Sequence, residues 1–591
     1  MSKLILKQSA LLALSAVLMY SAQSKAVVVA PELKSNKGMV AAAHPLAAAA
    51  GAEILEKGGN AIDAAIATSF ALGVVEPYAS SLFGEGYMVV RKADGTTFSI
   101  DFRSAAPAEA TYFNLNARGL TTKTASKTPN GVCVPGVVAG IESIYAKGAS
   151  KPLAELAAPA IRLAEEGFKV TPTFAQVTKD NFDNLVKNAP DFLNEELPWE
   201  PGDTFTNPKL GKTLRTLVEK GLREFYEGSI ADDVERYMIE KGGLLRKSDL
   251  KAYKAIERTP LQGEYRGYRI TIAGLPVGGP RLLEHLNLLE NFNLKAMGWD
   301  DPVRLHLMQE IFLLAGEDMK AYIGDPAFGV TSETGMASKE YAKVRMMNIK
   351  LNGATTAEDV KNGKLKPGDA PLFEKGLKYT DYLTREKAAK LDRASGDGYE
   401  SASTTHFSVI DQWGNAVAWT QTISSFYGTS HWVDGFFMNN ELGNFNSKPN
   451  NTMGDLVPGR RPRTQIAPMV IEKDGQLKWV LGTPGAGRIT TTLTQIIVDL
   501  VDFGMTLEQS IKAPKIMSTF SSKKGSFMEM EKGYSEKTVE TLKKGLGYTV
   551  DVKSYPNLYF GGPNVIERSP DGTLTGIGSV RRGGSAAAPE L

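Results

Sequence analysis

Ser401-Ala402-Ser403-Thr404-Thr405-His406-Phe407-Ser408-Val409-Ile410 puts a cluster of hydroxyls at the mouth of a segment with the period-two alternation of a β-strand. If the chain were cut between Ser403 and Thr404, Thr404 would carry a free α-amine with an unperturbed pKa of about 7.7–8.0, suited to take the proton from its own hydroxyl near neutral pH. One residue would then serve as both nucleophile and base. Taken alone, such a cluster more often caps or solvates a strand start. The elements around it decide between the two readings.

After Ile410 come Asp411-Gln412-Trp413-Gly414-Asn415 and a second run, Ala416-Val417-Ala418-Trp419-Thr420-Gln421-Thr422-Ile423. A three-residue loop with glycine in third place suits a type I turn followed by a left-handed residue, which closes a hairpin with a bulge. With Asp411 facing Asn415, Thr404 falls opposite Thr422, at a Cβ separation of about 4.5–5.5 Å. Thr422 is therefore the first candidate to orient the nucleophile, and a one-residue slip would undo the pairing. His406 follows Thr404 by two, shares its face and is read as a packed strand histidine.

The run Thr404 to Asp411 with Gly414 to Ala418 closely resembles the processing and nucleophile segment of the γ-glutamyltransferases, N-terminal-nucleophile hydrolases that cut themselves before this threonine. The resemblance extends to Gly58-Gly59-Asn60-Ala61-Ile62-Asp63-Ala64-Ala65, Asp101-Phe102-Arg103 with Ala106-Pro107, Gly435 through Asn440, and Gly482-Thr483-Pro484-Gly485. It implies an αββα sandwich in which both cleaved pieces share one core. The pieces are a signal peptide over residues 1–26, a large piece over 27–403 and a small piece over 404–591.

Gly482-Thr483-Pro484-Gly485-Ala486-Gly487-Arg488-Ile489-Thr490 lies between a strand and a helix, where a phosphate loop would lie. Arg488 and Ile489 replace the lysine and the hydroxyl such a loop needs, so nucleotide binding is not expected. The same geometry gathers backbone N–H groups where an oxyanion could develop. By resemblance a Gly-Gly pair supplies that hole, and Gly485-Ala486 stands here, strained if its second residue needs positive φ.

Resemblance also makes Arg103 the holder of a substrate α-carboxylate, a task for which a guanidinium fork is suited. Several neighbouring positions depart from the family. Ser104 stands where a glutamate follows the arginine, Ser424 replaces an asparagine, and Thr464-Gln465 replace a Ser-Ser pair. In Asn439-Asn440-Glu441-Leu442-Gly443-Asn444-Phe445, Glu441 is retained while Gly443 and Asn444 replace two acids, the second of which pairs with the α-ammonium. Losing that acceptor forfeits about 1.5–3 kcal/mol, and a neutral Asn444 suits an acyl group without the ammonium. The connecting loop 446–460 is also short for a lid.

Lys3 and Lys7 precede an apolar run over 10–20 and small residues at 22, 24 and 26, the pattern of a secretory signal peptide cleaved after Ser24 or Ala26. The run is too short to span a bilayer. An exported, periplasmic or secreted protein is expected. The only cysteine, Cys133, permits no intrachain disulfide and reads as a buried thiol. Formal charge is +2, and because residues 1–26 hold Lys3, Lys7 and Lys25 and no acid, the remainder carries −1. That balance favours neither nucleic acid nor an anionic membrane. None of His44, His285, His306, His406 and His431 has metal-ligand spacing, so no metal or cofactor is expected.

Two helices over 46–75 meet at Gly58-Gly59, the second capped by Asn60. A hairpin turns at Ala93-Asp94-Gly95. Residues 150–320 read as mainly helical, and mixed strands and helices follow from 403 on, with strands at 435–439, 466–472, 477–482, 565–567 and 574–578 and helices at 490–503 and 535–546. These place the chain among layered α/β folds. The expected activity is hydrolysis, with transfer to an amine secondary, of a small γ-glutamyl amide such as glutathione. The rivals are a glutaryl or cephalosporin-type acylase, a poly-γ-glutamate-degrading relative and, from another class, a periplasmic solute-binding or inactive relative.

Overall fold

The computed structural model describes residues 27–384, 403–521 and 525–590. The expected signal peptide, and Ser401 and Ala402 ahead of the expected cut, lie outside the described residues.

Two antiparallel sheets lie face to face. The first has eight strands in the order Val27–Ala30, Ser585–Pro589, Gly38–Ala42, Thr405–Asp411, Ala416–Thr422, Glu85–Arg91, Thr97–Phe102, Ile256–Arg258. The second has seven, in the order Glu32–Ser35, Leu574–Gly578, Asn564–Arg568, Gln476–Leu481, Met469–Lys473, Tyr268–Ile272, Leu261–Tyr265. Alternation divides the nucleophile strand between two cores: Phe407 and Val409 pack toward the helices covering the first sheet, while Ile410 packs between the sheets with Val470, Val480 and Ile566. A third apolar layer joins the second sheet to helices Gly279–Leu289, Pro302–Tyr322 and Ile489–Val501. The result is the αββα sandwich.

Helix Ala61–Val75 is buried along its whole length, so its start must be satisfied from within the protein. Asn60 accepts from the Ile62 and Asp63 N–H groups, and the Asp63 carboxylate takes the Asn60 N–H at 2.8 Å, a reciprocal cap. The Asp411 carboxylate binds the Ala61 N–H at 3.0 Å and, within its own turn, the Trp413 and Asn415 N–H groups at 2.9 Å. The nucleophile hairpin is thereby fastened to the central helix. Its turn closes at Gly414, with φ of 92°.

Residues 150–320 are less helical than expected. Leu261–Tyr265 and Tyr268–Ile272 form a hairpin whose loop residues, Arg266 and Gly267, both have positive φ (47° and 77°). Arg-Gly is a weak signal for a turn that normally favours Asn-Gly or Asp-Gly. The strand expected over 435–439 shrinks to Phe436–Phe437, and the helix expected over 535–546 is Glu536–Glu540 followed by a wider π turn over Thr541–Gly545. A small sheet of Ile516–Ser521, Gly525–Glu531 and Thr549–Lys553 was not anticipated, because its third strand joins in parallel after a helical excursion.

Gly86 lies where Glu85–Arg91 is squeezed between two strands, and a methyl there would run into the Thr420 carbonyl and the Phe102 ring. Gly86→Ala is predicted to destabilise the chain by about 1–3 kcal/mol, measured as a lowered urea midpoint. An unchanged midpoint would show that the strands can part without cost.

Candidate active site

Four side chains stand on one rung of the first sheet. Thr405 pairs with Gln421, so the same register sets Thr404 opposite Thr422. Thr422 pairs with Glu85, and Gly86 with Phe102, which sets Glu85 opposite Arg103. Neighbouring strands are about 4.7–4.9 Å apart and residues of one rung share a face. Thr404, Thr422, Glu85 and Arg103 therefore form a row, on the face turned toward the second sheet.

The Thr404 hydroxyl lies 3.3 Å from Thr422 Oγ1 and against the carbonyl oxygen of Ser403. Thr422 Oγ1 donates to that same carbonyl at 2.7 Å and accepts the Ser424 N–H at 2.9 Å. Ser403 is held from the other side by its N–H on the Ser424 carbonyl at 3.2 Å, and Ser424 has φ of 76°. The Thr404 hydroxyl, the Ser403 carbonyl and a hydroxyl donor to that carbonyl thus meet at one point. Thr404 itself is only 4% exposed.

Two groups that sequence reasoning missed, Arg582 and Glu76, hold the strand at Thr404 and Thr405. Arg582 donates to the Thr404 carbonyl and pairs with Glu76 at 3.3 Å, and Glu76 also accepts from Thr405 Oγ1 at 2.7 Å and from the Tyr78 hydroxyl at 3.0 Å. No local pattern connects positions 76, 405 and 582. His406 Nδ1 meets Thr420 Oγ1 at 2.8 Å and Nε2 meets Ser408 Oγ at 3.1 Å. Burial pushes its pKa down to about 3, which removes it as a base near neutral pH.

At the other end of the row Arg103 is wholly buried. Its Nη1 forms an ion pair with Glu85, its Nη2 reaches Glu441 Oε2 and the Pro462 carbonyl at 3.2 Å each, and its Nε reaches that carbonyl at 3.4 Å. Glu85 also accepts the Ser104 N–H at 2.7 Å. A carboxylate from another strand thus sits beside Ser104, where the family glutamate was missing from the sequence. The signal for it was one acid, Glu85, between two glycines in an otherwise apolar run.

Asn444 donates to Glu441 Oε2 at 2.5 Å. Burial pushes the Glu441 carboxyl above the ordinary range, while Arg103, Asn444 and Ser424 pull it back. Glu441 Oε1 and Asn444 Oδ1 are buried acceptors without a hydrogen-bond partner among the described residues. Each such group costs about 1–3 kcal/mol unless something donates to it.

Of the remaining expected site residues, Thr464 is tied through its N–H to the Pro276 carbonyl at 3.3 Å. The Gln465 side-chain amide donates toward Met319 Sδ at 2.5 Å and accepts from Thr490 Oγ1 at 3.2 Å. Loop 446–460 is folded on itself: the Asn446 amide reaches Asn450, Thr452 and Asp455 at 2.7–2.9 Å, and the Tyr112 hydroxyl reaches the Asn446 carbonyl at 3.0 Å. Cys133 is buried, with its thiol pKa pushed well up by burial. Among the described residues no group of three His, Cys, Asp or Glu could hold a metal, and no helix is long and apolar enough to cross a membrane.

The loop after Gln476–Leu481 opens beside the row, because Gly482 packs on the His406 ring and Asn564 Nδ2 binds the His406 carbonyl at 2.8 Å. Gly485 and Ala486 both have positive φ (136° and 51°), and neither N–H has a backbone acceptor among the described residues. The left-handed region costs a residue with a Cβ about 1–2 kcal/mol, against about 0.4–1 kcal/mol of extra chain freedom for glycine. Ala486→Gly is therefore predicted to raise stability by about 0.5–1 kcal/mol, read as a higher melting midpoint. A lowered midpoint would mean that the alanine methyl, rather than the backbone, dominates at this position.

The family model of gamma-glutamyltranspeptidase matches residues 47–589. The glutathione hydrolase proenzyme of Escherichia coli (strain K12) is 34% identical over 573 residues, covering 93% of this chain and 91% of that protein. The acylase ACY 1 proenzyme of Pseudomonas sp. (strain V22) is also 34% identical, over 567 residues and 94% of each chain. Among solved structures, a cephalosporin acylase from Bacillus halodurans superposes with a TM-score of 0.82 at 27% identity, covering 97% of this chain and 98% of its own. The gamma-glutamyltranspeptidase of Helicobacter pylori matches 58% of this chain and 96% of its own, with a TM-score of 0.51 at 32% identity. Motif order, layered fold and similarity along nearly the whole length agree, and the chain belongs to the γ-glutamyltranspeptidase family of N-terminal-nucleophile hydrolases.

Proposed function

We propose that this chain is an exported amidohydrolase that cuts itself between Ser403 and Thr404 and then hydrolyses γ-glutamyl-type amides, such as glutathione, through an acyl-enzyme on Thr404. The observation that carries this reading is the meeting of Thr404 Oγ1, Thr422 Oγ1 and the Ser403 carbonyl. In maturation, Thr404 Oγ1 adds to the Ser403 carbonyl carbon while Thr422 donates to its oxygen. The C–N bond then breaks, leaving an ester on Thr404 and its nitrogen as a free amine, and water hydrolyses the ester. In turnover that amine takes the hydroxyl proton as Thr404 attacks the substrate carbonyl, and passes a proton to the departing amine. The Gly485 and Ala486 N–H groups are the donors for the oxyanion. Water resolves the acyl-enzyme in preference to an acceptor amine.

The γ-glutamyl reading rests on the two unpartnered acceptors, Glu441 Oε1 and Asn444 Oδ1, which call for a donor such as an ammonium. A glutaryl or cephalosporin-type acylase is the second reading, favoured by the missing charge at Asn444. A poly-γ-glutamate-degrading activity would need loop 446–460 to leave the site open. A solute-binding or inactive relative would stay in one piece on a denaturing gel.

Thr404→Ala is predicted to abolish both self-cleavage and turnover, whereas the unmodified chain should yield a small piece whose N-terminal sequence begins Thr-Thr-His-Phe. A fully active uncut chain would refute the mechanism. Thr422→Ala should slow self-cleavage by roughly 10²-fold, the usual effect of deleting one oxyanion donor. Wild-type cleavage kinetics in that variant would show that the 2.7 Å contact to the Ser403 carbonyl has no role.

A further inference from the structure

The core between the two sheets is apolar inside and ends, at the turn of the nucleophile hairpin, in guanidinium groups. Val89, Val470 and Ile566 face that core, and side chains two positions further along a strand share a face, so Arg91, Glu472 and Arg568 face it as well. Ile270 and Ile272 belong to the helix-facing layer, which turns Arg269, next to Ile270, toward the gap between the sheets. All four stand at or next to the end of a strand. A cavity of about 400 Å³ opens there, lined by the three arginines and by Trp413, which is 53% exposed. That volume is within the range of small-molecule sites. It is separate from the candidate active site, because the whole strand Thr405–Asp411, seven residues of about 3.3 Å each, lies between Trp413 and Thr404.

The charges around the cavity do not cancel. The buried Glu472 carboxylate is spent on two of the arginines: Oε1 takes Arg91 Nε at 2.9 Å, and Oε2 takes Arg269 Nε at 2.7 Å and Nη2 at 2.5 Å. Asp94, the acid that lines the cavity, turns its carboxylate to the Thr96 N–H of its own turn at 2.8 Å. Arg568 has no hydrogen bond or ion pair among the described residues, and Arg269 keeps Nη1 free. Three cations against two acids leave one positive charge in excess, and it falls on a planar fork whose five N–H donors are all unengaged. Such a fork takes an oxyanion through two parallel hydrogen bonds and repels a cation. We propose that this cavity is a second binding site, for a small oxyanion, phosphate or carboxylate, seated on the Arg568 fork and Arg269 Nη1 beside Trp413. The arginines holding it belong to the second sheet and Trp413 to a turn of the first, so occupancy ties the two sheets together at this end. The site needs nothing of the chemistry proposed at Thr404.

The experiment titrates the whole protein with sodium phosphate and, separately, with sodium succinate, against sodium chloride at matched ionic strength, following the melting midpoint and tryptophan emission. At least one oxyanion should raise the midpoint along a saturable curve beyond the chloride effect, because a ligand that binds only the folded state stabilises it. Which of the two does so identifies the head group. Arg568→Gln should weaken the apparent affinity by about tenfold or more, the scale of one charge-assisted fork. The emission change should vanish in Trp413→Phe while the rise in midpoint remains. A response no larger than that of chloride overturns the site. So does saturable binding that survives unchanged in Arg568→Gln, or an emission change that persists in Trp413→Phe, since either places the anion elsewhere. If Arg568→Gln does not fold, the Trp413→Phe comparison decides the placement alone.

Discussion

The antiparallel register between Thr405–Asp411 and Ala416–Thr422 is the constraint on which the rest of the site depends. It is over-determined from three sides. At the turn, the Asp411 carboxylate holds its own loop and the first N–H of the central helix. On the helix-facing side, Trp419 lies between Phe407 and Phe102, with ring centroids at 5.4 and 5.3 Å. On the other side, Ile410, Ala416 and Ala418 enter the core between the sheets. A one-residue slip would carry every one of these side chains to the wrong face, so the apolar cores and the row from Thr404 to Arg103 are specified by the same register.

That row places charge where charge is costly. Arg103, Glu85 and Glu441 are all buried, and such a cluster is held in place only because each ion meets another or a backbone group. Apolar residues would stabilise the sheet at least as well. The left-handed Ala486 and the left-handed Ser424, whose carbonyl holds the Ser403 N–H, add backbone strain. Stability is given up here and recovered in the two thick helix-facing layers and the core between the sheets.

The sheet order explains how a chain cut at Thr404, as proposed, would keep its architecture. The nucleophile strand lies between Gly38–Ala42 and Ala416–Thr422, and the strand Ser585–Pro589, near the end of the chain, lies between Val27–Ala30 and Gly38–Ala42. Each sheet contains strands from both sides of Thr404, so separating two such pieces would break ladders in both sheets and expose all three apolar layers at once.

Much of this was readable from local pattern. The hairpin register, the Asn60 cap and the strand–loop–helix passage through Gly485-Ala486 all follow from residues close in sequence, where turn chemistry and side-chain period act directly, whereas the positive φ of Ala486 came from the structure. The hairpin at Arg266-Gly267 was not readable, since its turn lacks the usual residue pair. Nor were Glu76 and Arg582 beside Thr404, which meet across more than 500 positions. Glu85 shows the limit most plainly: Ser104 signalled an acid lost after Arg103, and only strand pairing reveals that another acid reaches the same N–H from the neighbouring strand. Sequence by itself determined that Thr404 faces Thr422, because that register is local to one hairpin. The charge balance around Arg103 was decided by tertiary structure alone, because it sums groups brought together from separate strands and loops.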